Sequence, residues 1–234
     1  MNQTVVRLIL FGAGATLALS QTTSKATGHW QGKILIPEHE LNITVDLAQS
    51  PKGVWIGSMT VTGSSSRDVP LESIVVEDAA VRFAANLPEH ASFAGRLSTD
   101  ANSLSGTASS DAGDAPFQLA RGGEANVKLP PPSSPLSKEF EGEWEGTINT
   151  GGGARQVVLK LRPSADGTAT AILIAVQKNL EIPVNTVTVK GKDLQLDVRA
   201  VSGSYRGTLG PDGAIDGEWS EGGNHTPLTF KRKP

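Results

Sequence analysis

The sequence predicts an all-β protein made of two tandem copies of one small antiparallel domain, each an up-and-down barrel of about eight strands. Three observations predict it. Apolar residues recur with a period of two, turn signals punctuate the chain about every ten to twelve residues, and five sequence blocks occur twice in the same order. A pair of two-sheet sandwiches is the alternative, because periodicity alone does not separate a sandwich from a barrel.

The N-terminus reads as an address. Residues 1–20 carry a cationic start at Arg7, an apolar stretch from Leu8 to Leu19, and small residues at Ala18 and Ser20. This is the pattern of a secretory signal peptide, with cleavage expected after Ser20. The apolar run is short for the ~20 residues that a bilayer-spanning helix needs. The expected location is secreted or periplasmic, with no membrane span in the mature chain.

The first copy occupies residues 27–122. Leu41, Ile43, Val45 and Leu47 alternate with Asn42, Thr44 and Asp46, which puts one face on a core and the other in water. Strands are expected near 28–36, 41–48, 54–61, 69–77, 80–87, 91–98, 102–109 and 115–121. Pro51-Lys52-Gly53 marks a turn here, as do Asp166-Gly167, Lys190-Gly191 and Pro211-Asp212-Gly213 in the second copy. Closing such a meander into a barrel removes its exposed edges.

A linker is expected at residues 123–138. Pro130-Pro131-Pro132 has no amide donors and favours an extended polyproline path, so it reads as a semi-rigid spacer.

The second copy occupies residues 139–233. Gly28-His29-Trp30-Gln31-Gly32 returns as Gly142-Glu143-Trp144-Glu145-Gly146, 114 residues later. Val69-Pro70-Leu71 returns as Ile182-Pro183-Val184 at an offset of 113, and Ser92-Phe93 as Ser204-Tyr205 at 112. Leu104-Ser105-Gly106 returns as Ile215-Asp216-Gly217, and the Pro116–Arg121 block as Pro227–Arg232, both at 111. Single-residue loop deletions produce such a drift. Val157, Leu159 and Leu161, then Leu194, Leu196 and Val198, repeat the strand alternation.

Two resemblances sharpen the fold. Gly-x-Trp on the first strand with Arg at the end of the last strand, Trp30 with Arg121 and Trp144 with Arg232, resembles the calycin pattern of lipocalins. It implies that the Trp closes one barrel end and the Arg packs across its ring, a cation–π contact. The Gly142–Gly146, Ile182–Val184, Tyr205–Leu209, Gly217–Trp219 and Pro227–Arg232 blocks together resemble the β domain found ahead of some secreted bacterial α/β-hydrolases. The catalytic serine of those proteins lies in the hydrolase domain, so the resemblance implies an accessory role and brings no catalytic residue.

Chemistry leaves few candidates. The net charge of −3 argues against nucleic-acid binding, which needs a basic face; Lys231-Arg232-Lys233 is the one basic cluster. There is no cysteine, which removes disulfides and thiolate chemistry. No Gly-x-Ser-x-Gly occurs, and Gly203-Ser204 belongs to a repeated strand. His29, His39, His90 and His225 are scattered without metal-ligand spacing. Glu38-His39-Glu40 is expected in a hairpin, Gly151-Gly152-Gly153 in another, and His225 in a loop before the last strand, opposite Asp114 of the first copy. Trp55 and Trp219 have no aromatic counterpart in the other copy, where Ala169 and Ala108 stand at the aligned positions.

The chain is therefore expected to be a non-enzymatic exported binding or interaction protein, with no cofactor and no metal. Its partner is expected to be a protein, an envelope surface or a small apolar ligand. Trp55, Trp219 and His225 are the candidate binding residues. A carrier of a small apolar molecule, or an accessory subunit of a separately encoded secreted hydrolase, is the alternative.

Overall fold

The computed structural model describes residues 24–37, 39–88, 90–150 and 153–233. The expected signal peptide, Glu38, and Gly151 and Gly152 lie outside the described residues. The first domain is eight strands in chain order: β1 (Gly28–Ile36), β2 (His39–Gln49), β3 (Trp55–Val61), β4 (Val69–Glu77), β5 (Ala80–Ala85), β6 (Ser92–Leu97), β7 (Ser103–Ser110) and β8 (Gly113–Gly123). Each pairs antiparallel with the next, and β8 returns to β1 through Ile34↔Phe117 and Trp30↔Arg121, so the barrel closes. It is a barrel and not the sandwich alternative. Its core is Trp30, Val45, Leu47, Met59, Phe83, Phe93, Leu104, Phe117 and their neighbours. Outward positions such as Gln31, Lys33, Asn42 and Thr44 are polar, the reverse of a membrane-spanning barrel, whose lipid-facing positions are apolar.

The second domain departs from the expectation of about eight strands. It has nine: β9 (Gly142–Thr150), β10 (Gly153–Pro163), β11 (Ala169–Ala175), β12 (Leu180–Pro183), β13 (Thr186–Lys190), β14 (Asp193–Val198), β15 (Gly203–Leu209), β16 (Ile215–Glu221) and β17 (Asn224–Arg232). They form one sheet in the order β12-β11-β10-β9-β17-β16-β15-β14-β13, which does not close. Its two edges, β12 and β13, follow each other in the chain and align with the two halves of β4. The break falls at Val184-Asn185, where the Asn185 side-chain carbonyl accepts the Arg199 N–H at 2.7 Å and the Asn185 N–H turns to the Asp197 carbonyl at 2.8 Å. The first domain is irregular at the same place: the β4–β5 register shifts between Glu72 and Val75, and Ser73 has φ +51°.

The opening is filled by the linker. Ser134 donates its N–H to the Val187 carbonyl (2.9 Å) on β13 and accepts the Ala169 N–H (2.8 Å) on β11, while Pro135 bridges Thr168. The Ser133 and Ser134 hydroxyls accept the Val187 and Val189 N–H groups at 3.0 and 2.7 Å, and Leu136 packs on the core. Ser58 and Thr186 are the buried polar side chains of the described residues. Both are satisfied by linker backbone, Ser58 by the Lys128 N–H (3.1 Å) and Thr186 by the Pro131 carbonyl (2.8 Å). Leaving either unpaired would cost about 1–3 kcal/mol. The Thr168 turn is braced by Asp166, whose carboxyl is held down at about 2 by the Ser164 and Thr168 hydroxyls and the Thr168 N–H. That bracing is complete above the ordinary value of 3.8 and is lost as the pH falls toward about 2.

Both domains close one end alike. Arg121 lies 4.3 Å over the Trp30 ring and Arg232 4.4 Å over Trp144, and each indole N–H donates to a carbonyl four residues back, at Ala26 and Phe140. The glycine of Gly-x-Trp is needed for this. Gly142 has φ +131°, and a β-carbon there would sit 2.7 Å from the Arg232 guanidinium. Gly142→Ala is expected to cost about 1–3 kcal/mol through backbone strain alone and to displace Arg232 from the ring. A denaturant titration of the variant checks this.

Arg199 clamps the domains together. Its guanidinium donates to the Asp68 carbonyl (2.8 Å) of the first domain and to the Lys128 carbonyl of the linker, and it pairs with Asp197 at 3.1 Å. Beside it, Ser66 Oγ donates to the Ala200 carbonyl at 2.8 Å. Arg199→Ala is expected to remove about 2 kcal/mol of coupling. Urea titrations followed by NMR should then show the two domains' midpoints drawing apart; unmoved midpoints would deny the clamp.

Candidate ligand-binding site

The end of the second domain opposite Trp144 and Arg232 is open. There β9, β10, β11, β12 and β16 surround a cavity of about 240 Å3. Its walls are Ile148, Val157, Leu173, Leu180, Ile182 and Trp219, and its rim carries Arg155, Gln177, Lys178 and Glu221. The apolar walls follow from strand alternation, since every second residue of β10 and β11 points inward.

Tyr205 explains why this domain is hollow near its mouth. The first domain has Phe93 at that place, stacked on Phe83 at 4.8 Å and edge-on to Phe117 at 5.5 Å. The second domain has Leu196, Tyr205 and Leu228 at those three positions. Tyr205 donates its buried hydroxyl toward the Ile215 (2.9 Å) and Leu228 (3.1 Å) carbonyls, and its ring meets Phe230 at 5.0 Å, toward the closed end. Burial pushes its phenol well above the ordinary value, and the Asp216 charge adds to that, so it stays protonated as a donor.

Trp219 forms one wall of the mouth. It is buried, and its indole N–H donates to Glu221 Oε2 at 3.0 Å. The same oxygen pairs with Arg155 at 3.2 Å. One carboxylate therefore fixes both the aromatic wall and a rim cation. Lys178, in the short 3-10 turn Val176–Lys178, is a second, exposed cation on the rim. With Arg155 and Lys178 against Glu221, the rim favours an anionic or hydrogen-bonding head group. A shallow trough of about 800 Å3 runs outward from Trp219 and Arg155 past His225 to Ser65 of the first domain.

The structure separates the three candidate residues. Trp219 lines the cavity and His225 the trough. Trp55 is remote from both, half-buried against the first core. His225 is not in a loop: β17 begins at Asn224, and His225 pairs with Ser220. Gly222-Gly223 make a tight turn with φ +57° and +84°, which lets the strand start one residue before the histidine. Its Nδ1 lies 2.7 Å from Glu218 Oε1 and 2.9 Å from Ser220 Oγ. Both partners meet the same nitrogen, whereas a nucleophilic triad needs the serine on one ring nitrogen and the acid on the other. The cluster is exposed and reads as a hydrogen-bonded surface of the hairpin. His29 is held by Asp46 (3.0 Å) and His90 by Asp111 (3.6 Å). Among the described residues no three metal-ligating side chains come together.

Sequence reasoning did not find Arg155, Lys178, Glu221, Leu173 or Ile182. The spacing Trp219-Ser220-Glu221 was the one local signal, since two residues on a strand share a face.

No family model and no curated protein matches the chain. Among solved structures, it is similar to a protein of unknown function of the DUF3598 family from Nostoc punctiforme, at 12% identity, covering 89% of this chain and 97% of that one, with a TM-score of 0.24. It is also similar to a putative outer membrane protein from Bacteroides fragilis, at 11% identity, covering 88% and 97%, with a TM-score of 0.31. Likenesses this distant carry nothing about fold or role to this chain, and what can be said of its function rests on its own geometry.

Proposed function

We propose that the protein is an exported, non-enzymatic binding protein that takes a small apolar group into the mouth of its second barrel. The observation that carries this is the apolar cavity walled by Trp219 and rimmed by Arg155, Lys178 and Glu221. At about 240 Å3 it is smaller than the roughly 300 Å3 at which drug-sized pockets begin. It suits a short acyl chain or a single ring, with an anionic head at the rim and any remainder along the trough. The Trp–Arg closures support a calycin-like reading of both domains, in which the closed end is structural and the opposite mouth receives the ligand. The first domain, filled by Phe83, Phe93 and Phe117, serves as scaffold and partner surface. No described helix is long and apolar enough to cross a membrane.

Native mass spectrometry of the chain purified gently from an exporting host tests this. A mass excess of an acyl-sized molecule, released on denaturation and absent from a Leu173→Trp variant, is the expected result. A bare mass, together with no uptake of octanoate added in excess, would reject the carrier reading and leave a surface partner.

A further inference from the structure

We propose that the first domain holds, between β3 and β4, an acceptor groove for an extended, serine-containing, proline-flanked segment of a partner protein. The second domain shows the occupied form. There the linker segment 131–136 lies between β11 and β13, bonded to Ala169 on one bank and to Val187 and Val189 on the other.

The repeat carries those positions onto the first domain. Ala169 corresponds to Trp55, and Val187 and Val189 to Ile74 and Val76. The β3–β4 ladder comprises Ser58↔Pro70 and Met59↔Val69 and stops short of all three. The Ser50 N–H donates to the Val54 carbonyl at 2.8 Å, so that pair is of the hydrogen-bonded type. Antiparallel alternation then turns the Trp55 amide away from β2, toward β4, as the Ala169 amide is turned toward Ser134. The banks differ in bulk and polarity: Trp55 stands where the second domain has Ala169, and Ile74 where it has Val187, both packed against the first core. Val54 and Val75 are 60% and 40% exposed, where the second domain has Thr168 and Thr188. The groove of the first domain therefore suits a more apolar strand.

The occupant has to come from another chain. By the repeat offset, residues 17–22 correspond to the segment 131–136, and they lie outside the described residues. Cleavage after Ser20, as the sequence leads one to expect, takes away the four that align with Pro131–Ser134. The linker of a second copy is already bound within its own chain. What the second domain displays is strand addition at an opening in a sheet, in which main-chain bonds give affinity and side chains give selectivity. Serine hydroxyls cap the amides, prolines hold the segment extended, and one apolar residue after them reaches the core.

The test is an NMR titration of the 15N-labelled exported chain with the peptide Leu-Pro-Pro-Pro-Ser-Ser-Pro-Leu, the sequence of residues 129–136. The expected result is saturable shifts of the Trp55 and Ile74 amides with a Kd on the order of 1 mM, while Val187 and Val189 do not move. Exchanging both serines of the peptide for alanine should weaken binding about fivefold, roughly the loss of one net hydrogen bond. Val54→Lys with Val75→Lys, two exposed positions that leave the core intact, should weaken it likewise. Silence at Trp55 and Ile74 would overturn the proposal. So would an exported chain whose mass retains residues 17–22 and whose Trp55 amide is protected from exchange before peptide is added.

Discussion

Trp144→Ala is expected to destabilise the second domain by about 3–5 kcal/mol, the range for emptying a fully buried large aromatic site. Trp144 is 1% exposed, and its loss would strip three things at once: core volume, the donor to the Phe140 carbonyl, and the ring beneath Arg232. Arg232 would keep its bonds to the Glu139 and Glu141 carbonyls, so the chain end would stay attached while the barrel floor opened. Trp30→Ala should do the same to the first domain, where Arg121 holds the Lys25, Thr27 and Ala101 carbonyls. Urea unfolding followed by the amide signals of each domain separates the two effects. A loss under about 1 kcal/mol would mean that the closed end contributes little to either barrel.

The second large effect concerns the linker. Ser134→Pro removes the donor to the Val187 carbonyl and the hydroxyl that accepts the Val189 N–H. Val187 is fully buried, so its carbonyl loses a partner without gaining water, at about 1–3 kcal/mol, and the Val189 N–H, on a half-buried residue, loses its acceptor as well. Ser134→Ala keeps the main-chain donor and should cost only about 1 kcal/mol. A proline introduced into a free spacer would cost nothing, and the gap between the two variants is what distinguishes a docked segment from a tether. Hydrogen exchange gives a second readout, with the Val189 amide, whose acceptor is the Ser134 hydroxyl, protected in the parent and exposed in the proline variant.

Much of this fold was legible in the sequence because strand registers repeat. Tyr205 pairs with Trp219 as Phe93 pairs with Ala108, and Leu159 with Trp144 as Val45 with Trp30. The falling offset between copies is therefore the signature of conserved pairing across shortened loops. The break between β12 and β13 was not legible, because one side chain, Asn185, ends the strand by bonding the Arg199 amide, and a single asparagine carries no such signal. The linker's composition announced an extended path but not what it lies against. Ser133, Ser134 and Leu136 among the prolines were the clue, since a pure spacer has no use for hydroxyls at alternating backbone amides.

The mouth of the second domain was half legible. Trp219 stood out because the aligned position of the other copy is Ala108. Its partners come from β10, the turn after β11, and β12, so no local pattern joins Arg155, Lys178 and Ile182 to it. The swap of Phe93 for Tyr205 was visible as a substitution, yet its consequence needed the Ile215 and Leu228 carbonyls, which draw the ring toward the closed end.

The most direct test of the binding account is a methyl NMR titration of the whole chain with octanoate. Burying the octanoate methylenes at about 0.8 kcal/mol apiece gives roughly 5–6 kcal/mol, a Kd on the order of 0.1 mM. The account predicts saturable shifts of the Ile148, Leu173 and Ile182 methyls, with Ile43 and Leu47 of the filled first barrel unmoved. Shifts spread equally over both domains, or none at Leu173 and Ile182, would contradict it.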